Sequence, residues 1–67
     1  MRAVVTGGSG YFGNVVCQRL VADGHEVVNY DIARAELPGV QYVAGDIRDP
    51  EAVAAAVAGA DAVFHNV

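Results

Sequence analysis

Lysine is absent from the 67 residues, and so is tryptophan. The arginines are Arg2, Arg19, Arg34 and Arg48, scattered along a chain of net charge −4. Such a chain offers no basic patch to a phosphate backbone, so no nucleic acid is expected as a partner. Cys17 is the single cysteine, which excludes an internal disulfide and a cysteine-cluster metal site. His25 and His65 lie far apart, neither with a ligand-spaced companion, so no metal is expected. No apolar run approaches the roughly 20 residues needed to cross a bilayer, so no membrane segment is expected in this portion. Residues 1–6 are too short, and too soon followed by glycines, to read as a signal peptide. A reducing cytoplasm is the expected compartment.

What is present is the composition of a globular interior, 54% apolar and rich in valine and alanine. A chain this small buries only about 60% of the surface it exposes unfolded. Without disulfide or metal, its stability calls for association or for belonging to something larger.

Periodicity orders the elements. Residues 2–6 are apolar on both sides, as buried parallel strands are. After glycines 7, 8, 10 and 13, Phe12, Val16 and Leu20 recur at helical spacing with Val15 beside them. Asp23-Gly24 ends that helix. Residues 26–30 read as a second strand ending at Asp31, and Pro38-Gly39 marks a turn before a third at Val40 to Val43. Asp49 suits the cap of a second helix, Pro50 its first turn and Glu51 its positive end. Val53 and Val57 share one face of that helix, and Gly59 ends it. Ala62-Val63-Phe64-His65 begins a fourth strand. Alternating strands and helices with right-handed crossovers predict an α/β fold: a partial Rossmann fold, its parallel sheet of about four strands in the order 3-2-1-4 with two helices. One compact unit is expected, residues 1–67 being the N-terminal half of a nucleotide-binding domain that is cut short, with its apolar fourth strand at an edge.

The chemistry concentrates in Thr6-Gly7-Gly8-Ser9-Gly10-Tyr11-Phe12-Gly13. A pyrophosphate needs several N–H donors and close backbone approach. Glycines at a strand-to-helix turn clear the side chains, and a helix start supplies unpaired amides and about half a positive charge. Gly8-x-Gly10-x-x-Gly13 is the broad dinucleotide fingerprint, weak by itself. Its context strengthens it: a strand before, a helix after, and Asp31 placed 18 residues beyond Gly13, near the ~20-residue offset of a ribose-binding acid. A carboxylate at Asp31 accepts from both ribose hydroxyls and repels a 2′-phosphate, so NAD is favoured over NADP. Arg34 reads as a solvated loop charge, although a guanidinium just past the strand is also placed to meet such a phosphate. The backbone amides of Tyr11 and Phe12 are expected to meet the pyrophosphate, and Gly13 to let the helix pack closely on the first strand.

In its second register, Thr6-Gly7-x-x-Gly10-x-x-Gly13, the loop resembles the extended short-chain dehydrogenase/reductase family of the epimerase/dehydratase type. The resemblance covers nearly the whole chain but only the family's front end. It implies NAD as cofactor. It also implies that Asp46 accepts from the adenine amine and the Ile47 amide serves a ring nitrogen, from the match Gly45-Asp46-Ile47. Cofactor-binding residues are therefore expected at Gly7, Gly10, Tyr11, Phe12, Gly13, Asp31, Asp46 and Ile47. "Val63-Phe64-His65" fits the family's fourth strand, but Asn66-Val67 departs from the small residues that usually follow.

The family's proton transfer uses a Tyr-x-x-x-Lys pair, which a lysine-free chain cannot hold. Tyr30-x-x-x-Arg34 shares the spacing by coincidence, since arginine cannot replace that lysine. No catalytic residue is expected here. The resemblance implies an NAD-dependent epimerase, dehydratase or dehydrogenase acting on a secondary alcohol or ketone, with a nucleotide sugar as leading substrate and a 3β-hydroxysteroid as runner-up. The substrate would be bound by a later part of the protein, which would work as a homodimer. A non-catalytic NAD(P) sensor and a truncated chain without independent role are the readings of other classes.

Overall fold

The computed structural model describes residues 1–66. Its elements are β1 (Arg2–Thr6), α1 (Tyr11–Ala22), β2 (Glu26–Asp31), β3 (Val40–Ala44), α2 (Pro50–Val57) and β4 (Ala62–His65). The four strands form one sheet in the order β3-β2-β1-β4, every pairing parallel. This is the order that right-handed crossovers predict from the sequence.

Alternation along the central strands sends side chains to two faces. Ala3, Val5 and Val27 meet α1 through Cys17 and Leu20, with Val16, Val21, Leu37, Val40 and Phe64 packed around them. Val4, Val28 and Tyr30 meet α2 through Ala52, Val53, Ala56 and Val57. The β2–β3 connection contains no helix, and Leu37 from that loop closes the first face instead.

The α1 stripe holds Leu20 and Val16 as the sequence predicts but differs at Phe12 and Val15. Gly13, Cys17 and Leu20 are its buried residues, while Phe12 and Val15 are 74% and 55% exposed. Hydrophobic spacing alone selected Phe12; close approach of the helix to the glycine loop selects Gly13, because only the smaller residue fits between them. α2 follows its expected signals: the Asp49 side chain accepts from the Ala52 amide and Pro50 opens the first turn.

Candidate functional site at the carboxyl edge of the sheet

Because all strands run parallel, Thr6, Asp31, Ala44 and His65 end at the same edge of the sheet. In open parallel sheets this is where ligands bind. The turn after β1 is anchored to β2 by the Gly7 amide donating to the Tyr30 carbonyl at 3.0 Å. Gly7 has φ of 76°, a left-handed conformation that a Cβ would disfavour. The Gly10 amide then returns to the Gly7 carbonyl at 3.2 Å, closing a tight turn. A Cβ on Gly13 would stand 2.1 Å from the Gly7 oxygen and 2.7 Å from Gly8 Cα. Gly13 thus packs α1 onto the loop itself rather than onto β1.

Gly10 caps α1 with extended backbone and no side-chain cap. The first backbone bond into the helix comes from Asn14, donating to the Gly10 carbonyl at 2.9 Å. Among the described residues, the amides of Tyr11, Phe12 and Gly13 therefore have no acceptor, and the first turn holds no acidic side chain. Unpaired donors at the positive end of a three-turn helix make an anion seat. The Tyr11 and Phe12 rings stand outside it, stacked edge to face at 5.2 Å and largely exposed.

A cleft of about 260 Å³ opens beside the loop, lined by Gly7, Gly10, Tyr30, Asp31, Ile32, Gly45, Asp46, Ile47 and Asn66. It gathers Gly7, Gly10, Asp31, Asp46 and Ile47 from the expected set, while Tyr11, Phe12 and Gly13 belong to the adjoining helix turn. The half-buried Asp31 carboxylate accepts from the Ser9 amide on one oxygen and the Ala33 amide on the other, both at 3.0 Å. Each oxygen keeps a second lone pair for a further donor.

Asp46 is gripped by Arg48. The Arg48 amide and guanidinium both donate to its carboxylate, at 2.8 Å each. The Arg48 hydrogen bonds, side chain first and then backbone, pull its pKa from 3.8 down to about 2. Among the described residues the Ile47 amide has no acceptor.

Two features of the site were not anticipated from sequence. Tyr30 lies buried under the cleft and its hydroxyl donates to the Asp46 carbonyl at 2.9 Å, fixing the loop after β3 to β2. Burial, then the charges of Asp49 and Asp46, push its phenol pKa up. Gly45 is required by that ring, since a Cβ there would lie 2.3 Å from Tyr30 Cε1. Thr6, buried, pairs its hydroxyl with His65 Nδ1 at 2.7 Å across the β1–β4 register. Tyr30 and Gly45 stand 15 positions apart, and no local sequence signal joins them. The Thr6–His65 pair becomes visible only once β1 and β4 are neighbours.

Arg34 does not face the cleft. It pairs with Glu36 at 2.7 Å, and its guanidinium carbon stands 5.2 Å from the centre of the Tyr42 ring. Tyr30, bonded to Asp46, and Arg34, bonded to Glu36, are thereby occupied separately, as expected of a coincidental spacing. Among the described residues no group of metal-ligating side chains occurs, and no helix is long and apolar enough to cross a membrane.

A parallel sheet in this order, with a glycine turn feeding an uncapped helix and an acid ending the next strand, defines a Rossmann-type nucleotide-binding unit. The chain belongs to the NAD dependent epimerase/dehydratase family, which it matches over residues 3–67. It is 45% identical over 69 residues to a 2-alkyl-3-oxoalkanoate reductase of Stenotrophomonas maltophilia, covering 98% of this chain and 21% of that protein. It is likewise 45% identical to a 3-beta-hydroxysteroid dehydrogenase of Mycolicibacterium neoaurum, covering 97% of this chain and 19% of the relative. Among solved structures, a uronate dehydrogenase mutant from Agrobacterium tumefaciens complexed with NAD superposes with a TM-score of 0.83 at 33% identity, over 96% of this chain and 25% of that one. The chain thus spans about a fifth of the length of the curated relatives it matches.

Proposed function

We propose that this chain is the NAD-holding N-terminal half of the cofactor domain of an oxidoreductase that interconverts a secondary alcohol and its ketone. The observation that carries the reading is the set of three unpaired amides at the start of α1, with no acid in the first turn, beside a cleft edged by the Asp31 carboxylate. The pyrophosphate is held by backbone at Gly10 to Gly13, as suits a chain without lysine. Asp31 accepts from the adenosine ribose and opposes a 2′-phosphate, while Arg34 stays engaged by Glu36. The adenine lies against Gly45, Asp46 and Ile47, where the Ile47 amide is free and Ile32 offers an apolar wall. NAD, when bound, supplies the hydride acceptor. The proton is handled by residues outside these 67, none of which is lysine.

Reductase and 3-beta-hydroxysteroid dehydrogenase relatives at 45% identity favour a hydrophobic hydroxy or keto substrate. The nucleotide sugar implied by the epimerase/dehydratase resemblance is the second reading, supported by the family match. In either case the substrate is bound by residues beyond this portion, and the reading extends to a cytoplasmic homodimer. Calorimetry with NAD and NADP tests the cofactor assignment. NAD is expected to bind more tightly, and Asp31→Asn to narrow the difference by about tenfold; tighter NADP binding by the unaltered chain would overturn it. Hydride transfer by the full chain, offered a 3β-hydroxysteroid, a 2-alkyl-3-oxo acid and a nucleotide sugar in parallel, separates the substrates.

A further inference from the structure

Asn29 has no place in the account so far, yet it is the most deeply buried polar side chain described, with 0% exposure. It sits in β2 opposite Val5, so alternation turns it to the α1 face, in a row with Val27. A valine there would continue the apolar core. Burying an amide instead costs free energy unless its groups are bonded. Only half of that requirement is met: Nδ2 donates to Ser9 Oγ at 3.0 Å, whereas Oδ1 has no partner. Room for the amide is also bought with sequence, since a Cβ on Gly8 would stand 2.4 Å from Asn29 Oδ1 and 3.0 Å from Cys17 Sγ.

The one bond Asn29 makes goes to the middle of the glycine loop. Ser9 is tied there through both its hydroxyl and its amide. Its hydroxyl accepts from Asn29 and donates to the Ala33 carbonyl, and its amide donates to Asp31 Oδ2. Ser9 leads directly into Gly10, the residue that caps α1. A path of one hydrogen bond and one step of backbone therefore runs from the core of β2 to the residue that caps α1.

We infer that Asn29 is a positioning residue for the anion seat, fixing the glycine loop through the Ser9 hydroxyl so that the loop amides converge before any diphosphate arrives. The inference rests on the reading that this loop holds the NAD pyrophosphate. It adds that Asp31 has two tasks, since the carboxylate that faces the ribose also fastens the Ser9 amide. Ribose and diphosphate subsites then share one fastening point at Ser9, and a residue that touches no ligand sets the affinity of one of them.

The test compares ADP with adenosine, by calorimetry on the full chain, for Asn29→Ala, Ser9→Ala and the double variant. Each single change is expected to weaken ADP binding about tenfold, the size of one well-placed buried hydrogen bond, and to leave adenosine within about twofold. The double variant should be no weaker than the worse single one, since both changes cut one path. A residue that only supports the core would lower both affinities together or neither, and either result overturns the inference. So does a double variant whose losses add. Ser9 is half-buried in a loop, so its variant keeps the test open if Asn29→Ala does not fold. An unaltered, folded chain that binds neither ADP nor NAD overturns the NAD reading itself, and this inference with it.

Discussion

The two faces of the sheet are built differently. α1 runs for 12 residues and buries Gly13, Cys17 and Leu20, whereas α2 runs for 8 and buries none completely. On the α1 face the helix touches the backbone of the loop it follows, with no side chain between Gly13 and Gly7. On the α2 face, alanines and two valines rest on Val4, Val28 and Tyr30, and a side cleft remains between α2 and β2–β3. The difference separates precision from adaptability. The anion seat needs backbone amides held at fixed spacing, and contact of backbone with backbone leaves little to adjust. The α2 face supports the cleft only from behind, where small side chains pack on Tyr30 and leave more room to adjust.

Breaking the α1 contact should have the largest effect. Gly13→Ala places a Cβ 2.1 Å from the Gly7 carbonyl oxygen, where no flexible side chain can move aside. Overpacking against backbone costs about 3 kcal/mol or more, near half of the stability of so small a unit at roughly 0.1 kcal/mol per residue. The expected outcome is loss of the thermal transition in circular dichroism, or a folded chain that has lost NAD binding. A variant with unchanged melting and unchanged affinity would show that the loop is free to move away from α1, and the contrast between the faces would fail.

The same contrast explains which parts of the molecule were legible in the sequence. Strand order, both helices and the caps at Asp49 and Gly24 followed from local signals, because alternation, turn residues and capping act within a few positions. The glycine loop was legible because glycines mark backbone contact whatever the partner. Its consequences were less so: Phe12 matched the helical period as well as any core residue, yet it is 74% exposed, because its place is fixed by the loop's path and not by its own hydrophobicity. In the sequence Asn29 reads only as a strand residue, and Tyr30 as a strand residue with a coincidental spacing to Arg34. Their contacts with Ser9 and Asp46 span 20 and 16 positions, and a single sequence carries no sign of such pairings. The place of Asp31 at the end of β2, beside the loop, was legible from its offset, but its bond to the Ser9 amide depends on where the loop folds back.

A milder change sharpens the comparison from the other side. Asp49→Ala removes the acceptor for the Ala52 amide, 3.2 Å away, at the start of α2. Loss of such a cap costs about 1 kcal/mol. Because α2 takes part in neither the glycine loop nor its fastening at Ser9, the melting temperature should fall while NAD affinity at a temperature well below melting stays within about twofold. A large loss of affinity would mean that α2 positions the Gly45-Asp46-Ile47 segment directly, and the two faces would then be equally involved in binding.

The smallest expected effect lies at that segment. Asp46 titrates near 2 because Arg48 donates to it from side chain and backbone. With a folded-state pKa below the 3.8 of the free group, the carboxylate contributes stability that is fully present above pH 4 or so. That contribution is lost as the pH falls through about 2. Arg48 is largely exposed, so its ion pair is weak and screened by salt. Arg48→Ala removes the guanidinium but keeps the backbone amide that donates to Asp46 Oδ1 at 2.8 Å. The carboxyl resonance of Asp46, followed by NMR through an acid titration, should therefore move its midpoint upward but stop short of 3.8. High salt should reproduce part of that shift in the unaltered chain. If the midpoint did not move, the low pKa would belong to the backbone turn alone, and this loop would be held by main-chain contacts much as the glycine loop is. If it reached the free value, the guanidinium alone would set it, placing Asp46 firmly on the adaptable side of the molecule.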